Sequence, residues 1–339
     1  MDRFELVARS LRGGETECWH FGAVAVCEPG GKLAAAIGDP STGVFLRSAA
    51  KPFQALAMMA LGLDVESLRD DELALICASH GGFELHTRAV SELLARWDLE
   101  PAALLCGPHE PVDAGAARSL RESGAAPTSL HNNCSGKHAG MLGTCRAAGL
   151  SLGDYVSADH PLQREVARVI ARSCRVEPET MGIGMDGCSV PSFQVPLAGV
   201  ATAYADLAQP EGLDDPVDSA RTARVYEAMT GSPEMVAGPG RFTTRLMEVG
   251  GGSILGKEGA DGLYAVAVRA PRRLGIALKI ADGTEVCRDG VVLEVLRQLG
   301  ALDDEQIASL EDFRVPKRRN CRGRAVGEVV PEVSLPGLG

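Results

Sequence analysis

Residues 131–140, HNNCSGKHAG, place histidine, asparagine, cysteine, serine and lysine side chains within one short stretch. Cys134 and Lys137 are three residues apart, and a second thiol, Cys188, follows in the glycine-bearing loop MDGCSV. Because a thiolate is a good zinc ligand, two cysteines from separate loops could supply half of a tetrahedral site. The alternative is a buried cysteine beside a polar turn. Water could complete the shell, and the candidates for a further ligand are His138, His131 and Asp186.

A serine and a lysine stand three residues apart in RSAAK, as Ser48 and Lys51. Positions three apart share one face of a helix, so the hydroxyl and the amine could lie within reach of each other. A neutral lysine can take the proton of a serine that attacks an amide or ester carbon. Serine is also a common helix N-cap, which is the alternative role of Ser48. Arg47, just before it, could clamp a carboxylate.

Two later segments extend the serine-lysine pattern. Penicillin-binding proteins and β-lactamases of the serine type carry S-x-x-K early, a serine or tyrosine in the middle, and K-T-G on a late strand. This chain has SHGG from Ser79 and then KEG from Lys257, in a strand-like segment. K-E-G replaces K-T-G, and the S-D-N element is not found. The order resembles that superfamily in outline, with an amide other than a lactam as the expected substrate.

Charge and composition restrict the partners. The net charge of −11 and the pI near 5.2 argue against nucleic acid, whose phosphates require a basic face, so a small molecule is the expected ligand. The first residues lack the apolar core of a signal peptide, and no 18-residue apolar run occurs, which predicts a cytoplasmic protein away from membranes. Ten cysteines in such a protein are expected to be reduced.

The pattern of elements predicts an α+β fold. Residues 21–37 indicate a hairpin around Pro-Gly-Gly. A helix is expected to begin at or beside Ser48 and to end at Gly62, with Pro52 in its first turn. Helical periodicity dominates the middle, and strands return near residue 252. Strands from both termini can then form one antiparallel sheet in a single domain, 1–339, with a helical section of about 48–235.

The co-linear motifs RSAAKPFQ, ASHGGFELH, HNNCSGKHAGML, HPLQ, MDGCSVP and GKEG resemble those of the bacterial L-asparaginases of the Rhizobium etli type. The resemblance runs from about residue 20 to 330. It implies a β-lactamase-like serine hydrolase fold and a homodimer that hydrolyses L-asparagine to L-aspartate and ammonia.

The resemblance also implies residue roles. Ser48 would be the nucleophile with Lys51 as its base, and Ser79 with Lys257 would form a second serine-lysine pair. One zinc ion would aid substrate binding. Its ligands would be Cys134, Lys137 and Cys188, with a water. Asp186 and His138 could meet the substrate ammonium or orient the zinc shell. The substrate-binding candidates are Arg47, His138, Asp186 and Asn133.

Two alternatives remain open at this level. The first is another cytoplasmic serine amidase or esterase on the same fold, acting on glutamine or a small peptide, because a difference of one methylene changes selectivity only modestly. The second is a non-enzymatic sensor in which Cys134 and Cys188 respond to zinc or to an oxidant. A sensor leaves RSAAK and GKEG unexplained. A threonine-type asparaginase would need a T-G-G-T-I pattern, which the sequence lacks.

Overall fold

A computed structural model describes residues 3–336, which fall into two compact units. The sheet unit contains residues 3–49, 195–212 and 245–336, and the helical unit contains residues 50–194 and 213–244. The strands are β1 (Glu5–Arg12), β2 (Glu15–Cys27), β3 (Leu33–Ile37), β4 (Gly43–Phe45), β5 (Gly182–Met185), β6 (Pro191–Pro196), β7 (Ile254–Glu258), β8 (Leu263–Val268), β9 (Leu274–Ile280), β10 (Lys317–Arg319) and β11 (Ala325–Pro331). The helices are α1 (Lys51–Ala60), α2 (Asp70–Ile76), α3 (Glu84–Arg96), α4 (Ala114–Glu122), α5 (Ser135–Ala148), α6 (Pro161–Cys174), α7 (Leu197–Ala208), α8 (Pro216–Gly231), α9 (Pro233–Val236), α10 (Phe242–Gly250), α11 (Arg288–Gln298), α12 (Asp304–Ala308) and α13 (Glu311–Arg314).

The sheet unit is built on an eight-stranded sheet. Its strand order is β10-β11-β1-β2-β9-β8-β7, with β3 paired to β2. The neighbouring strands run antiparallel, and β2 is long enough to pair with β1 along its first half and with β9 and β3 along its second. Every residue of β8, LYAVAV, is buried, as expected of an inner strand covered on both faces. Strands from the two ends of the chain thus share one sheet.

Helix α7 belongs to the sheet unit although it lies within the helical section of the sequence. It packs on β9, β2 and β8, and all but two of its twelve residues are buried. Its sequence, LAGVATAYADLA, is apolar apart from Thr202, Tyr204 and Asp206, which favours an interior position.

In the helical unit, α5 is the central helix, in contact with α1, α2 and α3. Residues Ser135 to Cys145 of α5 are all buried. Glycines allow this close packing: a Cβ at Gly136 would lie 2.3 Å from the Leu75 carbonyl oxygen, and one at Gly140 would lie 2.9 Å from Ile76. The helix ends at Gly149, whose φ of 65° is left-handed. The stretch that contains Lys137 and His138 is therefore held rigidly against α2.

The structure confirms the α+β class and most of the predicted elements. The hairpin of residues 21–37 is β2 and β3, and the strands expected after residue 252 are β7, β8 and β9. The predicted helix begins beside Ser48, with Pro52 in its first turn. Ser48 lies in a 3₁₀ turn, Arg47–Ala50, and the α-helix begins at Lys51. Such turns tighten helix ends because the first N–H groups lack α-helical partners. No helix within residues 3–336 combines the length and apolarity needed to cross a membrane.

Candidate active site

A buried cluster of two thiols and one amine lies in the helical unit. Helix α5 carries Lys137 and begins directly after Cys134, while Cys188 lies in the turn between β5 and β6. The Lys137 Nζ donates a hydrogen bond to the Cys188 Sγ at 3.1 Å, and Cys134 and Cys188 share a side-chain hydrogen bond. All three side chains are almost completely buried. The structure therefore brings together Cys134, Lys137 and Cys188, which the sequence analysis had placed in one site.

The cluster divides charge unequally between the two sulfurs. The hydrogen bond from Cys188 lowers the pKa of the Cys134 thiol well below its usual range, and Lys51 and Lys137 act in the same direction. The same bond raises the pKa of Cys188, which keeps its proton. Burial lowers the pKa of Lys137, but its interactions with Cys188 and Cys134, including the hydrogen bond to Cys188, outweigh burial and raise that pKa above its usual value. The result is a buried ammonium-thiolate pair.

The donor set of this cluster suits zinc. Sulfur and nitrogen are ligands that zinc accepts, and two thiolates with an amine leave one position of a tetrahedron for water. Within residues 3–336, no three side chains of histidine, cysteine, aspartate and glutamate group in a way that could hold a metal. His131 instead caps the 3₁₀ turn Ser129–His131, where its Nδ1 accepts from the Thr128 amide at 3.1 Å. Lys137 contacts Cys188 directly and so offers a third donor beside the two thiols.

A second cluster in the helical unit contains Lys51, Ser79 and Asn133. The Lys51 Nζ donates to the carbonyl oxygens of Ala78 at 2.5 Å and Asn133 at 3.3 Å. The Asn133 side-chain amide donates to the Ser79 Oγ at 3.4 Å. Lys51 and Ser79 are both buried. A serine hydroxyl, a lysine amine and an asparagine amide therefore lie together, and Asn133 directly precedes Cys134 of the first cluster.

Two histidines that the sequence analysis did not single out, His109 and His80, form hydrogen bonds to Asn133 and Ser135. The Asn133 backbone N–H donates to the His109 Nε2 at 3.0 Å, and the His109 Nδ1 donates to the Glu110 carbonyl at 2.6 Å. The His80 Nδ1 accepts from the Gly82 amide, so its Nε2 donates to the Ser135 hydroxyl at 2.9 Å. In each of these two histidines one ring nitrogen accepts and the other donates, so these hydrogen bonds determine the tautomer of both rings. His80 directly follows Ser79 in SHGG, and this position was the sequence feature that could have identified it as a candidate site residue.

His138, the next residue of α5 after Lys137, is fully buried. Its Nδ1 lies 2.7 Å from the Tyr155 hydroxyl, and its Nε2 has no protein partner within residues 3–336. Burial lowers the pKa of His138 well below its usual value, and the positive charges of Lys137 and Lys51 add to this effect. This environment favours the neutral imidazole of His138.

The sheet unit carries three of the predicted site residues. Ser48 is nearly buried, and Lys257 on β7 is fully buried, with its Nζ donating to the Glu258 carbonyl at 3.0 Å. Arg47 forms an ion pair with Asp261. A substrate carboxylate at Arg47 would therefore share or displace an existing partner.

Backbone strain occurs in the two loops that carry Ser48 and Cys188. Arg47, just before Ser48, has φ 47°, and Ser189, just after Cys188, has φ 74°. Left-handed backbone costs a residue other than glycine about 1–3 kcal/mol and often occurs at functional sites. The turn at Ser189 is closed by its N–H, which donates to the Asp186 carbonyl, and the Asp186 side chain accepts from the Gly187 amide at 2.8 Å. Asp186 thereby shapes the loop that carries Cys188.

The buried histidines predict an acid-sensitive fold. His86 stacks on His80 with ring centroids 4.7 Å apart and donates from Nε2 to the Glu234 carbonyl. Burial lowers the pKa of His86 to about 4. The unfolded chain takes up this proton near pH 6.5 and the folded chain does not, so the contribution is fully present above that pH and is lost as the pH falls toward 4.

We expect His86 alone to lower the free energy of unfolding by about 2 kcal/mol between about pH 7 and about pH 5. Urea titrations at both pH values measure this difference. His86→Gln keeps a donor for Glu234 but does not titrate, and it should reduce the pH dependence by that amount. An equal pH dependence in both proteins would exclude His86 as the source.

Comparison with known proteins identifies the family to which the chain belongs. The sequence profile of the family described as L-asparaginase II matches residues 8–331. No curated protein has significant sequence similarity to the chain. One crystal structure of a protein called Mglu aligns with 15% identity and a TM-score of 0.43, over 83% of this chain and 67% of that one. Its native form in 4.3 M NaCl aligns with 16% identity and a TM-score of 0.42, over 86% of this chain and 60% of that one.

Proposed function

The chain belongs to the L-asparaginase II family and is by that membership an asparaginase, and on this premise we propose that it acts through an acyl-enzyme on Ser48. The observation that supports this proposal best is the family match across residues 8–331, which includes every residue of the candidate site. The buried Lys51, hydrogen-bonded beside Asn133 and Ser79, adds a physical reason, because a buried amine is a suitable general base.

In the proposed reaction, the Ser48 hydroxyl attacks the side-chain amide carbon of L-asparagine, and Lys51 takes its proton. The oxyanion that forms is stabilised by backbone N–H groups at the helix start, including that of Ser48. The proton passes to the departing nitrogen, and ammonia leaves an aspartyl ester. Water then attacks the ester carbon, the Ser48 oxygen recovers a proton, and L-aspartate is released.

The remaining residues bind substrate and support the nucleophile. We assign Ser79 and Lys257 as a second serine-lysine pair that relays protons. Asn133, whose side-chain amide donates to Ser79, orients that hydroxyl. Arg47 is assigned to the substrate carboxylate and Asp186 to its ammonium, since opposite charges pair favourably there.

We further propose that Cys134, Lys137 and Cys188 hold one zinc ion per chain, with water as the remaining ligand. The two sulfurs and the nitrogen already lie together and are buried, and they match zinc in ligand type. When bound, the ion supplies a positive charge that aids substrate binding. A lysine ligand must lose its proton, so zinc occupancy should fall as the pH falls.

The architecture that the proposal assumes is a single β-lactamase-like domain in a cytoplasmic homodimer. The mixed α+β arrangement and its antiparallel sheet support the fold assignment. The acidic net charge of −11 supports a small-molecule substrate over nucleic acid.

Ammonia release tests the function. Wild-type protein loaded with zinc is incubated in parallel with L-asparagine and L-glutamine. We expect release from asparagine at a rate at least about tenfold higher than from glutamine, because one methylene changes binding by roughly 10- to 200-fold. A preference for glutamine would favour the general amidase. No release from either amide would refute the asparaginase assignment and leave an esterase or amidase with another substrate, or the zinc or thiol sensor, as the alternatives.

A further inference from the structure

The hydrogen bonds of Tyr155 determine which nitrogen of His138 carries the proton. The Tyr155 hydroxyl oxygen accepts the Leu105 backbone N–H at 2.9 Å and lies 2.7 Å from the His138 Nδ1. An amide N–H can only donate, so the Leu105 bond cannot take the hydroxyl proton. Among the residues the structure describes, the His138 Nδ1 is the acceptor within reach of that proton.

Two proton arrangements can be compared by the buried polar groups that each leaves without a partner. If the His138 Nδ1 carries the ring proton, the tyrosine O–H and the Nε2 lone pair are both unsatisfied. If the Nε2 carries it, the tyrosine donates to Nδ1, and only the Nε2–H lacks a protein partner. Leaving a buried polar group unsatisfied is costly, so the second arrangement, which leaves one fewer, is favoured.

From this we infer that Tyr155 is a positioning residue that fixes His138 as an Nε2–H donor to an oxygen of the bound substrate. The inference deepens the proposed function and relies on it for the identity of the substrate. An N–H donor cannot pair with an ammonium group, so the expectation that His138 meets the substrate ammonium is replaced. Its partner is an oxygen, either of the α-carboxylate or of the side-chain amide.

Tyr155 is well placed to hold one orientation. It is fully buried, and its backbone carbonyl accepts from the Gln163 Nε2 at 2.8 Å. Its ring meets that of His138 edge-on, with centroids 5.5 Å apart. His138 in turn lies on α5, which glycines pack tightly against α2. A donor held this firmly requires little reorganisation when substrate binds.

The tautomer can be measured without any activity. Two-bond proton-nitrogen NMR correlations distinguish protonated from unprotonated ring nitrogens, and His138→Gln identifies the His138 signals among the seven histidines. We expect the His138 Nε2 to be protonated and Nδ1 unprotonated in the wild type. In Tyr155→Phe, the two tautomers should interconvert. A wild-type ring protonated at Nδ1 would overturn the inference, whether or not the protein hydrolyses asparagine.

Kinetics test the substrate contact. Tyr155→Phe should lower kcat/KM for L-asparagine about tenfold, the value of one hydrogen bond near 1.4 kcal/mol. Adding His138→Gln to Tyr155→Phe should lower it little further, because both changes remove the same contact. Thr144→Val is the matched control, since it removes a buried hydroxyl bonded to the Gly140 carbonyl on the same helix. Equal kinetic losses in Tyr155→Phe and Thr144→Val would indicate a structural role only.

Discussion

Ser48→Ala is expected to lower kcat for L-asparagine by at least about a thousandfold, because removing an attacking hydroxyl leaves only binding and oxyanion stabilisation. The fold should be retained, since Ser48 lies in a 3₁₀ turn that its side chain does not cap. Zinc content should also be unchanged, because none of the proposed ligands is altered. Ammonia release under single-turnover conditions, circular dichroism and metal analysis measure the three quantities.

Ser79→Ala is the informative companion. If Ser48 is the nucleophile, an aspartyl ester should accumulate on Ser48 in slow-turnover variants and be detectable by peptide mass spectrometry. Ser79→Ala should retain this ester and react more slowly. An ester on Ser79, or more than about a tenth of wild-type kcat in Ser48→Ala, would reverse the two roles.

Much of the architecture could be predicted because it depends on local patterns. The Pro-Gly-Gly turn set the β2–β3 hairpin, and the apolar segments after residue 252 became β7, β8 and β9. The position of α7 could not be predicted in this way. Its apolar sequence is compatible with any buried helix, and only the packing on β9 assigns it to the sheet unit.

The candidate site was predictable where its residues are close in sequence or carry distinctive chemistry. Cys134 directly precedes α5 and Lys137 lies in its first turn, while Cys188 is a thiol in a polar loop. Tyr155 and His109 gave no such signal. Each acts through one hydrogen bond to a residue that is distant in the chain, and neither belongs to a spacing that implies chemistry.

The ammonium-thiolate cluster predicts a second large effect, on stability. In buffer with a chelator, Cys134→Ala/Cys188→Ala should lower the free energy of unfolding by about 3–5 kcal/mol, because it leaves the buried Lys137 charge without a partner. Adding Lys137→Met, which replaces the ammonium with an apolar chain of similar length, should recover most of that loss. Urea denaturation measures all three proteins.

The triple variant separates charge from packing. Two cysteine-to-alanine changes also remove buried volume, and that part of the loss would remain after Lys137→Met. If the triple variant is no more stable than the double, packing accounts for the loss and the cluster is not an ion pair.

With zinc present, the double variant should bind no metal, and single Cys134→Ala should raise KM more than it lowers kcat. A fall in kcat alone would instead give the ion a part in the chemical step, because an interaction made only in the transition state affects turnover and leaves apparent affinity unchanged.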